Sequence, residues 1–164
     1  MSIPVKIRSM RPGEETSISG LVVATFRRDV APVYVAEGIH EFLSYVTPDA
    51  ILDRQARNHV ILVALQDDHL VGTLELREYS HVSLLFVEAT KQRQGIGRQL
   101  MNGALQLCKT HHAGTGTREI TVNSSPNAVE AYKRFGFRAT DELQVKNGIG
   151  FVPMALPLES AIGT

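Results

Sequence analysis

The stretch that decides the fold is Leu84-Leu85-Phe86-Val87-Glu88-Ala89-Thr90-Lys91-Gln92-Arg93-Gln94-Gly95-Ile96-Gly97-Arg98. It begins as a short apolar run suited to a strand and passes into a polar turn. Ile96, Leu100, Ala104 and Leu107 then recur at helical spacing. Gly95 and Gly97 straddle the predicted helix start. Such a start leaves backbone N–H groups without intrahelical partners and carries partial positive charge. The combination suits an anion, phosphate above all. Glycine lets phosphate oxygens approach the main chain, and Arg93 and Arg98 add charge at the rim. The same residues also describe an ordinary loop. Two named phosphate motifs are incomplete here: Leu100 stands where a dinucleotide fingerprint needs its third glycine, and no Gly-Lys-Ser/Thr occurs.

Upstream, Val5 to Met10 alternates apolar and basic residues and reads as a short strand broken by Pro12-Gly13. Ile18, Leu21, Val22 and Phe26 follow at helical spacing behind Glu14 and Glu15, acids that favour a first turn. Pro32 and Pro48 bracket a helical candidate containing Ile39, Phe42, Leu43 and Val46, and Thr47-Pro48-Asp49 can open another helix. Residues 59–65, 70–76 and 81–87 read as three strands with short connections, an antiparallel meander. Downstream, the helix begun at Gly95 ends near His111-His112, before Gly114. Glu119 to Val122 is a short strand. Ser125 can cap, and Pro126 begin, a helix running to Phe135 and stopped by Gly136. Asn147-Gly148 between two strand candidates is a hairpin signal. The order predicts a single α+β, or mixed α/β, domain over 1–164, with helices packed on a largely antiparallel sheet.

Seventeen basic residues balance seventeen acidic ones, so no global field points to nucleic acid or an anionic membrane surface. The single cysteine, Cys108, cannot form an internal disulfide, and its helical alignment with Met101 and Ala104 reads as a buried structural thiol. Residues 1–8 lack the form of a secretory signal, and no apolar run approaches a membrane span. A cytoplasmic protein is the expectation. The adjacent pair His111-His112 cannot share one helix face, so no metal site is expected.

Two motifs carry a family resemblance. Leu84-Leu85-Phe86-Val87, then Gln92-x-x-Gly95-x-Gly97 and Leu100-Met101, resembles the acyl-CoA motif of the GNAT superfamily of N-acyltransferases. Thr121-Val122-Asn123, Pro126-Asn127-Ala128, Tyr132 and Phe135-Gly136-Phe137 resemble that family's second cofactor segment. The Ile7-Arg8 strand and the acidic helix start fit as well. The resemblance implies a strongly twisted mixed sheet of about six to seven strands, flanked by about four helices, with central strands that splay after the fourth. It implies acetyl-CoA as acyl donor, no metal, and acetyl transfer to a primary amine, small molecule or protein, by direct attack in a ternary complex. A non-catalytic acyl-CoA sensor is the alternative. A homodimer is plausible by family analogy, and the acceptor amine is not identified.

By position, Leu85, Phe86 and Val87 would line the cofactor's pantetheine arm, and the Val87 N–H would polarise the thioester carbonyl. Gln92, Arg93, Gln94, Gly95, Ile96, Gly97 and Arg98 would hold the pyrophosphate. Asn123 and Asn127 would reach the cofactor, although Asn127 can equally assist a helix cap. Tyr132 matches the family's general acid for the departing thiolate; packing beside Ala128 and Phe135 is its other reading. Several branches place a Glu or His six residues before the Val87 position, which here is His81. Strand alternation predicts His81, Ser83, Leu85 and Val87 on one face. Glu75, Glu88 and a water chain are the other candidate routes for the amine's proton. Residues 28–58 and 144–151 would shape the acceptor site, with Phe26, Tyr34, Phe42 and Tyr45 as a partly aromatic wall.

Overall fold

A computed structural model describes residues 3–116 and 118–158. In chain order the elements are β1 (Lys6–Ser9), α1 (Glu15–Asp29), α2 (Ala36–Tyr45), α3 (Pro48–Gln55), β2 (His59–Gln66), β3 (His69–Arg77), β4 (His81–Val87), α4 (Ile96–His111), β5 (Glu119–Ser124), α5 (Val129–Phe135), β6 (Arg138–Ala139), β7 (Gln144–Lys146) and β8 (Ile149–Pro157). The sheet runs β1-β2-β3-β4-β5-β8-β6, with β7 also on β8. Every pairing is antiparallel except β4 with β5. The mixed α/β class and the meander are as expected. The additional strand is β6, whose two residues are too few to show a pattern.

Local chemistry explains the main boundaries. Thr47 accepts a hydrogen bond from Ala50 N–H and Pro48 follows it, so α3 starts with a side-chain cap and a preset φ. Asp67 and Asp68 both lie at positive φ in the β2–β3 turn, as do Asn147 and Gly148 between β7 and β8. Gly136 at φ 107 closes α5. The expected Ser125 cap is not formed: Ser125 makes no side-chain cap, residues Pro126–Ala128 form a 3-10 turn, and α5 begins only at Val129. On α4 the buried stripe is Ile96, Leu100, Met101, Ala104 and Cys108, with Leu107 only half-buried.

The sheet separates two cores. One face packs against α4 and α5 through Leu74, Leu76, Val82, Leu100, Ile120 and Met154. The other packs against α1 and α3 through Ile18, Val22, Ile51, Ile61, Val63 and Leu84. Behind this second core Glu75, 1% exposed, is held by Arg54 through both oxygens and by His59 Nδ1 at 2.6 Å. Three elements, α3, β2 and β3, are joined there by one buried carboxylate. Burial pushes the Cys108 thiol up to about 11, which keeps it protonated and unreactive.

Candidate active site

β4 and β5 hydrogen-bond as parallel neighbours only at His81–Thr121 and Val82–Val122. Beyond that point they diverge. Leu84 to Val87 continue along β3, while Asn123 and Ser124 continue along β8. The sheet therefore opens into a V, and a cleft of about 770 Å³ occupies it.

The main chain of β4 is exposed to this opening by ladder geometry. Glu88 N–H donates to Val71 O, and residues 84–87 keep that register against 72–75. In an antiparallel pair the residues that exchange hydrogen bonds alternate with those that do not. Leu85 and Val87 fall in the second set, so their N–H and C=O groups point away from β3 and into the splay. The Val87 carbonyl accepts from Gln92 Nε2 at 3.1 Å, as a group free of the ladder can.

The turn after β4 reaches its helix through two left-handed residues, Arg93 at φ 64 and Gly95 at φ 83. Gly95 is the N-cap of α4 and supplies no side-chain cap. A Cβ placed there would meet nothing within 4 Å, so the requirement for glycine is the backbone conformation rather than space. The first helical bond along α4 runs from Gln99 N–H to Gly95 O. The N–H groups of Ile96, Gly97 and Arg98 thus lack helical acceptors at the cleft wall. These groups fit a pyrophosphate.

Tyr132 lines the opposite wall from α5, 7% exposed and set edge-on to Phe135 and Phe137. Burial raises its phenol well above the usual range, so it holds its proton at neutral pH. Asn123 and Asn127 also line the cleft. The Asn127 side chain donates to the Asp29 carbonyl at the end of α1, at 2.6 Å. Gln92 Nε2 donates to the Asp29 carboxylate at 3.1 Å.

The structure brings Leu85, Phe86, Val87, Gln92, Arg93, Gly95, Ile96, Gly97, Arg98, Asn123, Asn127 and Tyr132 to one cleft. It leaves out two of the expected residues. The Gln94 side chain turns back to Thr90 O and is not in the lining. His81 is a correction of the alternation argument. Opposite Leu76 stands Val82 and opposite Glu75 stands Leu84, so Ser83 is an extra residue, a β-bulge. One extra residue reverses which face each earlier side chain takes. Val82 joins the α4 core while Leu84 joins the α1 core, so His81 shares its face with Leu84 and Phe86 and not with Leu85 and Val87. Its Nδ1 lies 2.8 Å from Thr121 Oγ1 at the closed base of the V, outside the cleft lining. Burial, with Arg77 nearby, lowers its pKa to about 4, which makes it a poor proton acceptor. Glu75 is engaged by Arg54 and His59, and neither it nor Glu88 lines the cleft. Among the described residues no cluster of three potential metal ligands occurs.

Sequence reasoning did not single out Asp29 or Arg134, and it named Ser83 only for its face. Asp29 meets Asn127 across 98 positions of sequence, and the bulge leaves no trace in residue type.

A sheet parted at the one parallel pair among the described residues, with an open helix N-terminus on one arm and a protonated phenol on the other, defines an acyltransferase of the GNAT type. Residues 30–158 match the family model described as the acetyltransferase (GNAT) domain, and the chain belongs to that family. Solved structures agree in fold. A GCN5-related N-acetyltransferase from Rhodopseudomonas palustris is 19% identical with a TM-score of 0.79, covering 96% of this chain and 98% of that one. The PaiA N-acetyltransferase from Thermoplasma acidophilum, in complex with coenzyme A, is 17% identical with a TM-score of 0.78, covering 94% and 99%. Spermidine N-acetyltransferase from Vibrio cholerae, in complex with CoA and spermine, is 19% identical with a TM-score of 0.66, covering 96% and 98%. No curated protein sequence matches the chain. No helix among the described residues is long and apolar enough to cross a membrane.

Proposed function

We propose that the protein transfers an acetyl group from acetyl-CoA to a primary amine by direct attack in a ternary complex. The observation that carries this reading is that one continuous cleft joins the α4 N-terminus, the outward-facing main chain of Leu85 and Val87, and Tyr132. The α4 N–H groups and Arg98 hold the pyrophosphate, and β4 holds the pantetheine arm as an added strand would be held. The amine nitrogen attacks the thioester carbon, and charge develops on the carbonyl oxygen, where the Val87 N–H stabilises it. The C–S bond breaks, and Tyr132 donates its proton to the departing sulfur. The proton lost by the amine restores the phenol through cleft water, so the transfer from a neutral amine releases no net proton.

A thiol-release assay with acetyl-CoA and an amine panel tests this reading. Turnover that collapses in Tyr132→Phe supports it. Tight coenzyme A binding with no turnover of any amine indicates the sensor alternative instead.

A further inference from the structure

The cleft has two chemically different ends. The phosphate end is formed by the α4 N-terminus, Arg98 and Arg134. At the other end, on the α1 side of the sheet, half-buried aromatic rings replace charge. Phe42 stacks on the fully buried Phe26 with ring centroids 4.0 Å apart and an interplanar angle of 15°. Tyr34 stands edge-on to Phe26 at 5.6 Å, and Phe86 is tilted against Phe42 at 5.8 Å. Tyr34, Phe42 and Phe86 all line the cleft. The rings come from the turn after α1, from α2 and from β4, so the box is fixed by three separate elements.

Charge sharpens the reading. Among the described residues lining the cleft, Asp29 is the sole carboxylate, against Arg28, Lys91, Arg93, Arg98 and Arg134. Asp29 already accepts from Gln92 and lies 3.7 Å from Arg28 Nε. A polyamine brings further ammonium groups that must each be desolvated and paired. Lys91, Arg93, Arg98 and Arg134 flank the phosphate end, so what opposes a polyamine is the lack of an unengaged carboxylate in the lining to pair its second ammonium. A single amine that attacks in its neutral form needs no carboxylate. Flat apolar surface on that amine would stack on the rings, and any fraction bound as ammonium is tolerated over ring faces. The Ser83 hydroxyl, displaced onto the bulge, is buried in the cleft wall beside the Tyr45 hydroxyl.

We infer that the acceptor is a monoamine carrying an aromatic ring on a short linker, bound between Tyr34, Phe42 and Phe86, and not a polyamine. This inference deepens the acetyl-transfer reading and rests on it.

Tryptamine is a suitable probe, because the chain contains no tryptophan and the indole emission is therefore its own. Titration of the protein with tryptamine, in the presence of coenzyme A, is expected to give a saturable blue shift. In the thiol-release assay, kcat/KM for tryptamine should exceed that for spermidine by at least about 10-fold, and that for n-propylamine by a similar factor. Phe42→Leu should raise KM for tryptamine about 10-fold with the KM for acetyl-CoA unchanged. Should Phe42→Leu not fold, Tyr34→Leu, at the margin of the box, carries the same expectation. Spermidine as the preferred acceptor, or equal rates for tryptamine and n-propylamine, overturns the inference while leaving acetyl transfer standing. Tryptamine binding with no turnover of any amine sinks the transfer reading and leaves the box.

Discussion

Asn127 Nδ2 donates to the carbonyl oxygen of Asp29 at 2.6 Å, tying the approach to α5 to the end of α1 across the mouth of the V. The Asp29 carboxylate takes a second bond from Gln92 on the other arm. One residue at the C-terminus of α1 therefore links both arms of the splay. Removing the link at Asn127 leaves one acceptor lone pair on a solvent-accessible carbonyl, a cost of about 1 kcal/mol. Asn127→Ala is expected to raise KM for acetyl-CoA about 3-fold to 10-fold with a smaller change in kcat, as measured by steady-state kinetics at saturating amine.

Tyr132→Phe keeps the ring packing against Phe135 and Phe137 and removes only the hydroxyl, the proton donor of the proposed mechanism. kcat should fall by about 10² to 10⁴ with little change in acetyl-CoA affinity. The raised phenol pKa also has a stability consequence. The unfolded chain ionises this tyrosine near 10.0 while the folded chain keeps it neutral, so stability is intact below that pH and falls as pH rises above it. Urea midpoints between pH 9 and 11 should drop more steeply for the wild type than for Tyr132→Phe.

His81 provides the opposite sign. Its folded pKa, about 4, lies below the unfolded 6.5, so the neutral imidazole's contribution is present above 6.5 and is lost as pH falls towards 4. His81→Gln should flatten the acid limb of the stability profile in that window. Its kcat/KM against pH should retain the wild-type shape; a missing acid limb in the variant would restore His81 as the base.

Glu75 is a buried carboxylate whose charge is met by Arg54 and His59. Arg54→Ala leaves that charge short of its main partner and also removes the guanidinium lying 3.6 Å over the Tyr45 ring. The expected loss is about 3–5 kcal/mol in urea unfolding. Arg54→Lys should recover only part of it, because the two-oxygen contact needs a planar fork.

The start of α2 meets the β7–β8 turn backbone to backbone. A Cβ at Gly38 would run into the Gly148 carbonyl oxygen, a backbone contact no flexible side chain can relieve. Gly38→Ala should therefore push the hairpin away from α2, with a loss of about 1–3 kcal/mol in stability. Coenzyme A affinity, measured calorimetrically, should be unchanged because neither residue lines the cleft.

Sequence by itself determined most of the elements and the glycine turn that opens α4. Gly95 must take positive φ to open α4, the apolar period of α4 names its buried face, and Asn147-Gly148 specifies its own hairpin, all through interactions local to a few residues. The family motifs likewise marked residues that meet in the cleft, Gly95, Gly97 and Tyr132 among them. What only the tertiary structure decided is how strands are offset and which distant residues meet. The Ser83 bulge reversed the side of β4 on which His81 lies, because a one-residue shift in pairing is a property of two strands and not of either alone. The Asp29 link between Gln92 and Asn127, and the aromatic box of Tyr34, Phe42 and Phe86, join segments far apart in the chain. Local propensity carries no term for such contacts. The anion-type turn was therefore legible in fifteen consecutive residues, and Tyr34 and Phe42 were named with it, while their meeting with Phe86 in one cleft came only from packing.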